Sequence, residues 1–213
     1  MLDEQIIKDA DEYYSKKAAG NASGPQASDW NSISAQEIRF EQLCNLLPKE
    51  KKEHFGVLDY GCGMGDLQPY IEKLGYTNID YYGMDASAEI IEKATNKKRE
   101  SFSRRVFIHG YEITCSYDYI IASGVFNVRQ STSNDRWRRY IINTIEMFNS
   151  NCRKGFAFNC LTKYSDKEYM KDYLYYADPL YLFEYCKNNF SRNVALLHDY
   201  GIYDFTIIVR KDL

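Results

Sequence analysis

A junction between a short apolar run and a glycine cluster constrains the fold of this chain more than any other feature. The run Val57-Leu58-Asp59-Tyr60 leads directly into Gly61-Cys62-Gly63-Met64-Gly65, and a helical pattern then continues to about Leu74. Glycine lets the backbone turn sharply and approach a ligand, and a helix N-terminus offers unpaired N–H groups. This order predicts a binding loop for a polar or anionic ligand, although a glycine cluster by itself also occurs in plain turns.

Acidic residues stand at the ends of two successive predicted strands. Asp59 precedes the first glycine by two residues, and Asp85 ends the second strand, residues 79–85. An acidic side chain at the tip of the second strand of an open α/β sheet can accept hydrogen bonds from both ribose hydroxyls of a nucleoside. With the glycine cluster, Asp85 therefore indicates a nucleoside ligand. The alternative is that Asp85 simply caps the helix that begins near Ala88.

Strands and helices alternate through the middle of the chain. Further strands are predicted at residues 105–109, 117–122 and 155–161, with a helix at residues 135–148. This alternation predicts a parallel sheet covered by helices on both faces. Residues 194–200 and 203–210 break the pattern, because they are typical of two strands joined by a tight turn at Gly201 and Ile202. The chain should therefore end in an antiparallel hairpin.

These elements define a fold class. We predict a three-layer α/β sandwich with a mostly parallel seven-stranded sheet that ends in an antiparallel hairpin. Two helices near residues 3–17 and 34–47 precede the first strand. The predicted division is an N-terminal helical cap at residues 1–54 and a sheet domain at residues 55–213, since 213 residues commonly bury one continuous core.

The charge balance argues against nucleic acid as a partner. There are 27 basic and 30 acidic residues, giving a net charge of -3, and the basic residues are scattered along the chain. No apolar run reaches about 18 residues, and the acidic start Met1-Leu2-Asp3-Glu4 does not resemble a secretory signal. The six cysteines form no CxxC pair, so no metal site is indicated. We expect a cytoplasmic protein without a membrane or nucleic-acid partner.

Two motifs resemble those of the class I, Rossmann-like, S-adenosylmethionine-dependent methyltransferases. The first is Val57 to Leu67, reading VLDYGCGMGDL, and the second is Tyr82 to Ser87, reading YGMDAS. The resemblance implies S-adenosyl-L-methionine as cofactor. It also implies a set of cofactor-binding residues within the two motifs: Asp59 near the amino group, Gly61, Cys62 and Gly63 against the methionyl and ribose parts, Asp85 on the ribose, and Asp66, Leu67, Ala86 and Ser87 beside them.

The same resemblance suggests residues after the third and fourth strands. Glu112 is the candidate beside the adenine amine and Ile113 the candidate to cover the ring, although a solvated loop carboxylate is the alternative for Glu112. After the fourth strand, the resemblance suggests two cofactor contacts and two substrate contacts. These are Ser123 and Gly124 for the cofactor, and Phe126 and Asn127 for the substrate.

N-terminal extensions in this family often close over the cofactor. Tyr14, Trp30 and Arg39 are the candidates here, and Arg39 would pair with the carboxylate of the cofactor. The alternatives are ordinary packing for the two aromatic residues and an exposed helical position for Arg39.

Methyl transfer requires mainly alignment and desolvation, together with a base where the acceptor carries a proton. His198 is the preferred candidate base, although a histidine beside a turn is more often structural. His109, Asp199 and Tyr203 are further candidates, and Tyr203 is also expected to face the substrate.

The sequence therefore predicts methyl transfer to a small-molecule acceptor, by a monomer or homodimer. The N-terminal cap and the tyrosine-rich residues 164–176 would enclose that acceptor. One alternative is a catalytically inactive S-adenosylmethionine-binding regulatory or partner protein. Another is a nicotinamide-dependent oxidoreductase, which would favour GxGxxG over the GxGxG found here.

Overall fold

The computed structural model describes residues 2–19, 33–97 and 104–211. Within them, seven strands form one sheet in the order β3-β2-β1-β4-β5-β7-β6. The strands are β1 Phe55–Tyr60, β2 Ile79–Asp85, β3 Arg104–His109, β4 Tyr117–Ala122, β5 Cys152–Leu161, β6 Asn193–Leu197 and β7 Asp204–Arg210. The helices are α1 Glu4–Ala19, α2 Ile33–Cys44, α3 Leu67–Lys73, α4 Ala88–Asn96, α5 Asn134–Asn151 and α6 Pro179–Asn189, with a short 3-10 helix at Lys167–Tyr169.

The predicted fold class is confirmed. β3, β2, β1, β4 and β5 run parallel to one another, whereas β7 is antiparallel to both β5 and β6. The prediction of a tight turn in the hairpin is wrong, because six residues, 198–203, separate β6 from β7. Tyr200 leaves the strand ladder there and its hydroxyl shares a hydrogen bond of 3.0 Å with Oγ1 of Thr206.

Two apolar clusters hold the layers together. On one face, Ile6 and Ile7 of α1 join residues of α5 and α6 against the sheet, and on the other face residues of α2 and α3 cover it. In the second cluster, Phe40 and Leu43 of α2 are buried with Val57 of β1 and Ala157 of β5. The helix assigned to the cap therefore also forms part of a layer of the sandwich, and the domain boundary at residue 54 stays a prediction.

Local capping chemistry explains where α6 begins. Asp178 caps α6, accepting hydrogen bonds from the backbone N–H groups of Leu180 and Tyr181, and Pro179 is the first helical residue. Across the residues that the structure describes, no helix combines the length and apolar character needed to span a membrane.

Candidate active site

A cavity lies at the carboxyl edge of the sheet, where the loops after β1, β2, β3 and β4 meet. It contains about 1110 Å³ of empty space including its open mouth. Parallel strands carry their carboxyl ends to the same edge, which is where open α/β sheets bind ligands. The glycine loop, Asp85, Tyr111 and Ser123 form its floor and sides, and α1 lies across it.

The glycine loop follows a path that few other residues could adopt. Gly61, Gly63 and Gly65 have φ angles of +71°, +52° and +70°. The N–H groups of Gly61 and Cys62 both donate to the carbonyl oxygen of Met84, at 2.8 and 3.0 Å. A Cβ atom on Gly61 would lie 2.6 Å from Cγ2 of Val125. The loop is therefore held between the ends of β2 and β4 with no space for a side chain at Gly61.

Asp85 connects this loop to the start of α4. Its Oδ2 accepts a hydrogen bond from the N–H of Gly63, and its Oδ1 accepts one from the N–H of Ser87, both at 3.0 Å. Burial raises the pKa of Asp85, and these two hydrogen bonds oppose the increase. The cap of α4 is Ser87, whose Oγ accepts from the N–H of Ile90. Ser87 is therefore the residue that caps α4, and Asp85 lines the cavity.

Asp59 lies deeper, at the end of β1. It is 3% exposed, and its Oδ2 accepts a hydrogen bond of 2.6 Å from the hydroxyl of Tyr81. Burial raises the pKa of Asp59 to about 7 although the Tyr81 hydrogen bond acts in the opposite direction. A buried carboxyl group at the cavity wall with one hydrogen-bond donor is suited to binding a cationic group.

Helix α1 closes one side of the cavity through a single face. Ile7, Ala10, Asp11 and Tyr14 line the cavity at the spacing i, i+3, i+4 and i+7. Burial raises the pKa of Tyr14, so its hydroxyl stays protonated. Tyr14 therefore lines the cavity, and its contact with the cofactor stays a prediction.

Three polar contacts hold α1 in this position. Asp3 forms a bidentate ion pair with Arg136 of α5, with both N···O distances at 2.7 Å. Oγ of Ser15 shares a hydrogen bond of 2.7 Å with Oγ of Ser87. The side-chain amide of Gln130 donates to the carbonyl oxygen of Asp9 at 2.8 Å. The helix is thereby connected to elements on both sides of the cavity.

Ser123 and Gly124 line the cavity after β4. The N–H of Gly124 donates to Oδ1 of Asn159 at 2.8 Å. Oγ of Ser123 is buried and has no hydrogen-bond partner among the described residues. A buried hydroxyl in a cavity wall is normally satisfied, so Ser123 is well suited to bind a ligand.

Most of the residues in the two motifs reach the cavity. Asp59, Gly61, Cys62, Gly63, Asp66, Asp85 and Ala86 line it. Leu67 and Ser87 are buried outside the lining, since Leu67, the first residue of α3, packs in the core and Ser87 caps α4. After β3 the cavity wall is formed by Gly110 and Tyr111, while Glu112 is exposed and Ile113 packs in the core.

The substrate residues suggested after β4 lie elsewhere. Phe126 is fully buried in the core, because its ring packs between Tyr140 and Phe158. Oδ1 of Asn127 accepts a hydrogen bond of 3.1 Å from the N–H of Leu161. Neither side chain is among the described residues that line the cavity.

Three further candidates, His198, Tyr203 and Arg39, are not among the residues that line the cavity. His198 packs with its ring centroid 6.0 Å from those of Tyr164 and Phe205. Tyr203 is 41% exposed and donates a hydrogen bond to Asp166. Arg39 is paired with Asp204 at 2.6 Å. Trp30 lies outside the described residues.

Sequence reasoning missed several cavity residues, among them Asp11, Tyr60, Tyr111, Trp137 and Tyr140. Tyr60 is the last residue of β1 and Tyr111 follows β3 closely, and the hydroxyl of Tyr60 donates to the carbonyl oxygen of Tyr111 at 3.0 Å. Because both tyrosines lie near strand ends beside the motifs, the sequence could have indicated that they line the cavity. Trp137 and Tyr140 stand on one face of α5, where the pattern is the same as that of a core helix.

Comparisons with known proteins agree with this architecture. A family model described as a methyltransferase domain matches residues 51–146. Rv1506c of Mycobacterium tuberculosis (strain ATCC 25618 / H37Rv), a protein named as a methyltransferase, is 46% identical over 157 residues, which cover 74% of this chain and 93% of that protein.

Solved structures show the same fold. Magnesium protoporphyrin IX methyltransferase from Synechocystis PCC 6803 with bound SAH has a TM-score of 0.63 at 13% identity, covering 99% of this chain and 100% of that one. A SAM-dependent methyltransferase from Aquifex aeolicus has a TM-score of 0.54 at 16% identity, covering 90% and 100%. With the glycine loop and Asp85 in place, the chain belongs to the class I S-adenosylmethionine-dependent methyltransferase family.

Proposed function

We propose that this protein transfers a methyl group from S-adenosylmethionine to a small molecule that is uncharged or cationic. The observation that carries the proposal is the junction of Asp85 with the glycine loop, opposite the face of α1 that closes the cavity. The cofactor supplies a methyl group already activated by a positively charged sulfur. The protein then has to bind, align and desolvate the reactants.

The residues of the cavity fit this cofactor. Asp85 has two carboxylate oxygens that each accept one backbone hydrogen bond, which leaves acceptor capacity for ribose hydroxyls. Asp59, deep beside the glycine loop, is suited to the ammonium group. The glycine loop allows the backbone to approach the ligand, and the buried hydroxyl of Ser123 can form a further hydrogen bond.

The charge of the cavity wall supports the choice of acceptor. Four aspartates line it, namely Asp11, Asp59, Asp66 and Asp85, and none of its described residues is Lys, Arg or His. Lys97 pairs with Asp66 at 3.1 Å, but it is not itself part of the wall. A phosphate or carboxylate group on the acceptor would therefore find no counter-charge among the described residues of the wall, whereas an amine or a neutral group needs no basic partner.

The enclosure by α1 supports a small acceptor. Apolar and aromatic side chains of α1 and α5 line the cavity, including Ile7, Tyr14, Trp137 and Tyr140. Such walls suit a compact molecule with apolar or aromatic parts. A nucleic acid would instead need several basic contacts with its phosphates.

Proton transfer has a minor role in the chemistry that we propose. Burial raises the pKa of Tyr60 and raises that of Tyr140 to about 12, so these hydroxyls do not accept protons near neutral pH. His198, the candidate base from the sequence, packs outside the described cavity wall. The protein would act by alignment and exclusion of water. The methylated atom of the acceptor would have its lone pair available at neutral pH, so any positive charge on the acceptor would lie elsewhere in the molecule.

A panel of acceptors tests the proposal. Amines, alcohols and carboxylic acids built on the same carbon skeletons would be incubated with methyl-labelled S-adenosylmethionine, beside RNA, DNA and protein. We expect labelled products from amines or neutral compounds and none from their carboxylate analogues. Methylation of a macromolecule alone, or of carboxylates in preference to amines, would contradict the proposal.

A matched pair of variants tests the role of the wall charge. Asp11→Asn removes a carboxylate from the cavity face of α1, and Glu12→Gln removes one from the adjacent exposed position of the same helix. We expect Asp11→Asn to reduce kcat/KM for a cationic acceptor about five-fold and to leave a neutral one unchanged. Glu12→Gln should change neither. Equal effects of the two variants would show that Asp11 has no specific role.

A further inference from the structure

A buried chain of hydrogen bonds connects the cavity wall to α2. The N–H of Gly124 donates to Oδ1 of Asn159 at 2.8 Å. Nδ2 of Asn159 donates to Oδ1 of Asp204 at 2.7 Å, and Nη2 of Arg39 donates to Oδ2 of Asp204 at 2.6 Å. We call this series Gly124, Asn159, Asp204 and Arg39 the relay. It joins four separate parts of the fold: the loop after β4, then β5, β7 and α2.

The two central residues of the relay, Asn159 and Asp204, are buried. Asn159 is 0% and Asp204 is 1% exposed, and the side chain of Arg39 is 11% exposed. A buried carboxylate is costly unless it is paired and hydrogen-bonded, and Asp204 has both a guanidinium and an amide on its two oxygens. The carboxylate in turn fixes the orientation of the Asn159 amide, because only the NH₂ group can face Asp204. The amide oxygen is therefore directed at Gly124.

Gly124, at one end of the relay, lies in a turn that contacts the glycine loop. Gly124 has a φ angle of +74°, and it stands between Ser123, whose buried hydroxyl lines the cavity, and Val125. Val125 packs so closely on the glycine loop that a Cβ atom on Gly61 would lie 2.6 Å from its Cγ2. A shift of the Gly124 backbone would thus move both Ser123 and the support of Gly61.

We propose that Asn159, Asp204 and Arg39 are positioning residues that hold residues 123–125 in the geometry required for cofactor binding. This inference rests on the proposed function. It also gives Arg39 a different role from direct pairing with the cofactor carboxylate. The residue acts on the cavity wall through Asp204 and Asn159.

Exchanging two relay residues tests the proposal. Asn159→Asp places two carboxylates together, and Asp204→Asn removes the charge that faces Arg39. The double variant Asn159→Asp with Asp204→Asn restores the chain, because the amide introduced at position 204 donates to the carboxylate introduced at position 159 and accepts from Arg39. We expect each single variant to weaken S-adenosylhomocysteine binding about ten-fold, and the double variant to bind within about three-fold of the wild type.

One control and one milder variant separate positioning from general stability. Ile145→Val trims a fully buried core residue of α5 outside the relay and should lower Tm by about 2–4 °C without changing the Kd for S-adenosylhomocysteine. Arg39→Lys is a mild change at the far end of the relay, which keeps the charge and should weaken binding a few-fold. It provides a folded variant even where the buried single substitutions do not fold.

The backbone amide resonance of Gly124 gives a readout that needs no ligand. We expect it to shift in both single variants and in Arg39→Lys, and to stay in place in Ile145→Val. Unchanged Kd and Gly124 resonance in Arg39→Lys, or a folded double variant that binds as weakly as the single variants, would overturn the proposal. The Gly124 resonance could shift in the relay variants although the wild type binds no cofactor. In that case the proposed function would be wrong, and the relay would only connect Arg39 structurally to Gly124.

Discussion

The hydroxyl of Tyr81 donates a 2.6 Å hydrogen bond to the buried carboxyl group of Asp59, at the floor of the cavity. The two residues lie on neighbouring parallel strands, β2 and β1. Burial nevertheless raises the pKa of Asp59 to about 7, so a single hydroxyl does not compensate for the loss of water. The cavity therefore contains a carboxyl group that changes its charge near neutral pH, and a cationic ligand would favour its ionised form.

Proton release on ligand binding follows from this relationship. At pH 6 a carboxyl group with a pKa of about 7 is mostly protonated, and pairing with the ammonium group of S-adenosylhomocysteine should ionise it. We expect release of roughly 0.9 proton at pH 6 and little at pH 8.5. Calorimetry in buffers of different ionisation enthalpy measures this number. Asp59→Asn should abolish the release, and identical heats in all buffers for the wild type would contradict the role of Asp59.

The raised pKa of Asp59 also makes the free energy of unfolding depend on pH. Because its folded pKa lies above the ordinary value of 3.8, the folded state binds the proton more tightly than the unfolded state between about pH 4 and 7. Its contribution to the free energy of unfolding therefore falls as pH rises through this window. The free energy of unfolding of Asp59→Asn, relative to that of the wild type, should therefore increase by on the order of 3 kcal/mol between pH 4 and pH 7. A constant difference between the two proteins would show that Asp59 has an ordinary pKa.

Asp85 should contribute to cofactor binding more than to folding. Asp85→Ala removes the acceptor for the Gly63 and Ser87 N–H groups and, in the proposed function, for the ribose hydroxyls. We expect S-adenosylhomocysteine binding to weaken by about 1.5–3 kcal/mol. Asp80→Ala, on the same strand but paired with His54 away from the cavity, is the matched control and should bind normally. Normal binding by Asp85→Ala would show that Asp85 does not contribute to cofactor binding.

Gly61 should tolerate no side chain. Gly61→Ala places a Cβ atom 2.6 Å from Val125 in a residue with φ at +71°. Gly75→Ala meets the same kind of backbone strain, with φ at +94°, but nothing lies within 4 Å of its Cβ. Both should lose about 1–3 kcal/mol of stability. We expect only Gly61→Ala to lose cofactor affinity, by more than about ten-fold; equal affinities would show that the loop is not a close cofactor contact.

Closure of the cavity by α1 should depend on the ion pair between Asp3 and Arg136. Arg136 holds the pKa of Asp3 below its usual value, so the pair persists until the pH falls through that lowered pKa. Asp3→Asn should weaken cofactor binding a few-fold with little change in Tm, because the pair is partly exposed. Asp135→Asn breaks an ion pair with Arg138 on α5 and is the control. Unaltered binding by Asp3→Asn would show that α1 is held by its other contacts.

The sequence predicted those features that depend on short segments. Most strand bounds and the positions of Gly61 and Asp85 follow from local periodicity and turn chemistry, and the structure agrees with them. The turn between β6 and β7 was misjudged because Gly201 alone suggested a tight turn. Tyr200 instead bonds to Thr206 and extends the loop.

Side-chain partners that are distant in the chain were beyond local reasoning. Arg39 pairs with Asp204, 165 residues away, and no local pattern could indicate that carboxylate. Phe126 lies beside the cavity residue Val125 in sequence, yet its ring packs in the core. Asp11 could not be assigned to the cavity because the face that α1 presents depends on how the whole helix packs.

Titration calorimetry of the wild-type protein with S-adenosylhomocysteine, S-adenosylmethionine and NAD tests the central claim most directly. We expect micromolar dissociation constants for both sulfur nucleosides, a free energy of roughly -8 kcal/mol, and no measurable binding of NAD. No heat with either sulfur nucleoside, or binding of NAD with equal affinity, would contradict the assignment of the cavity to this cofactor.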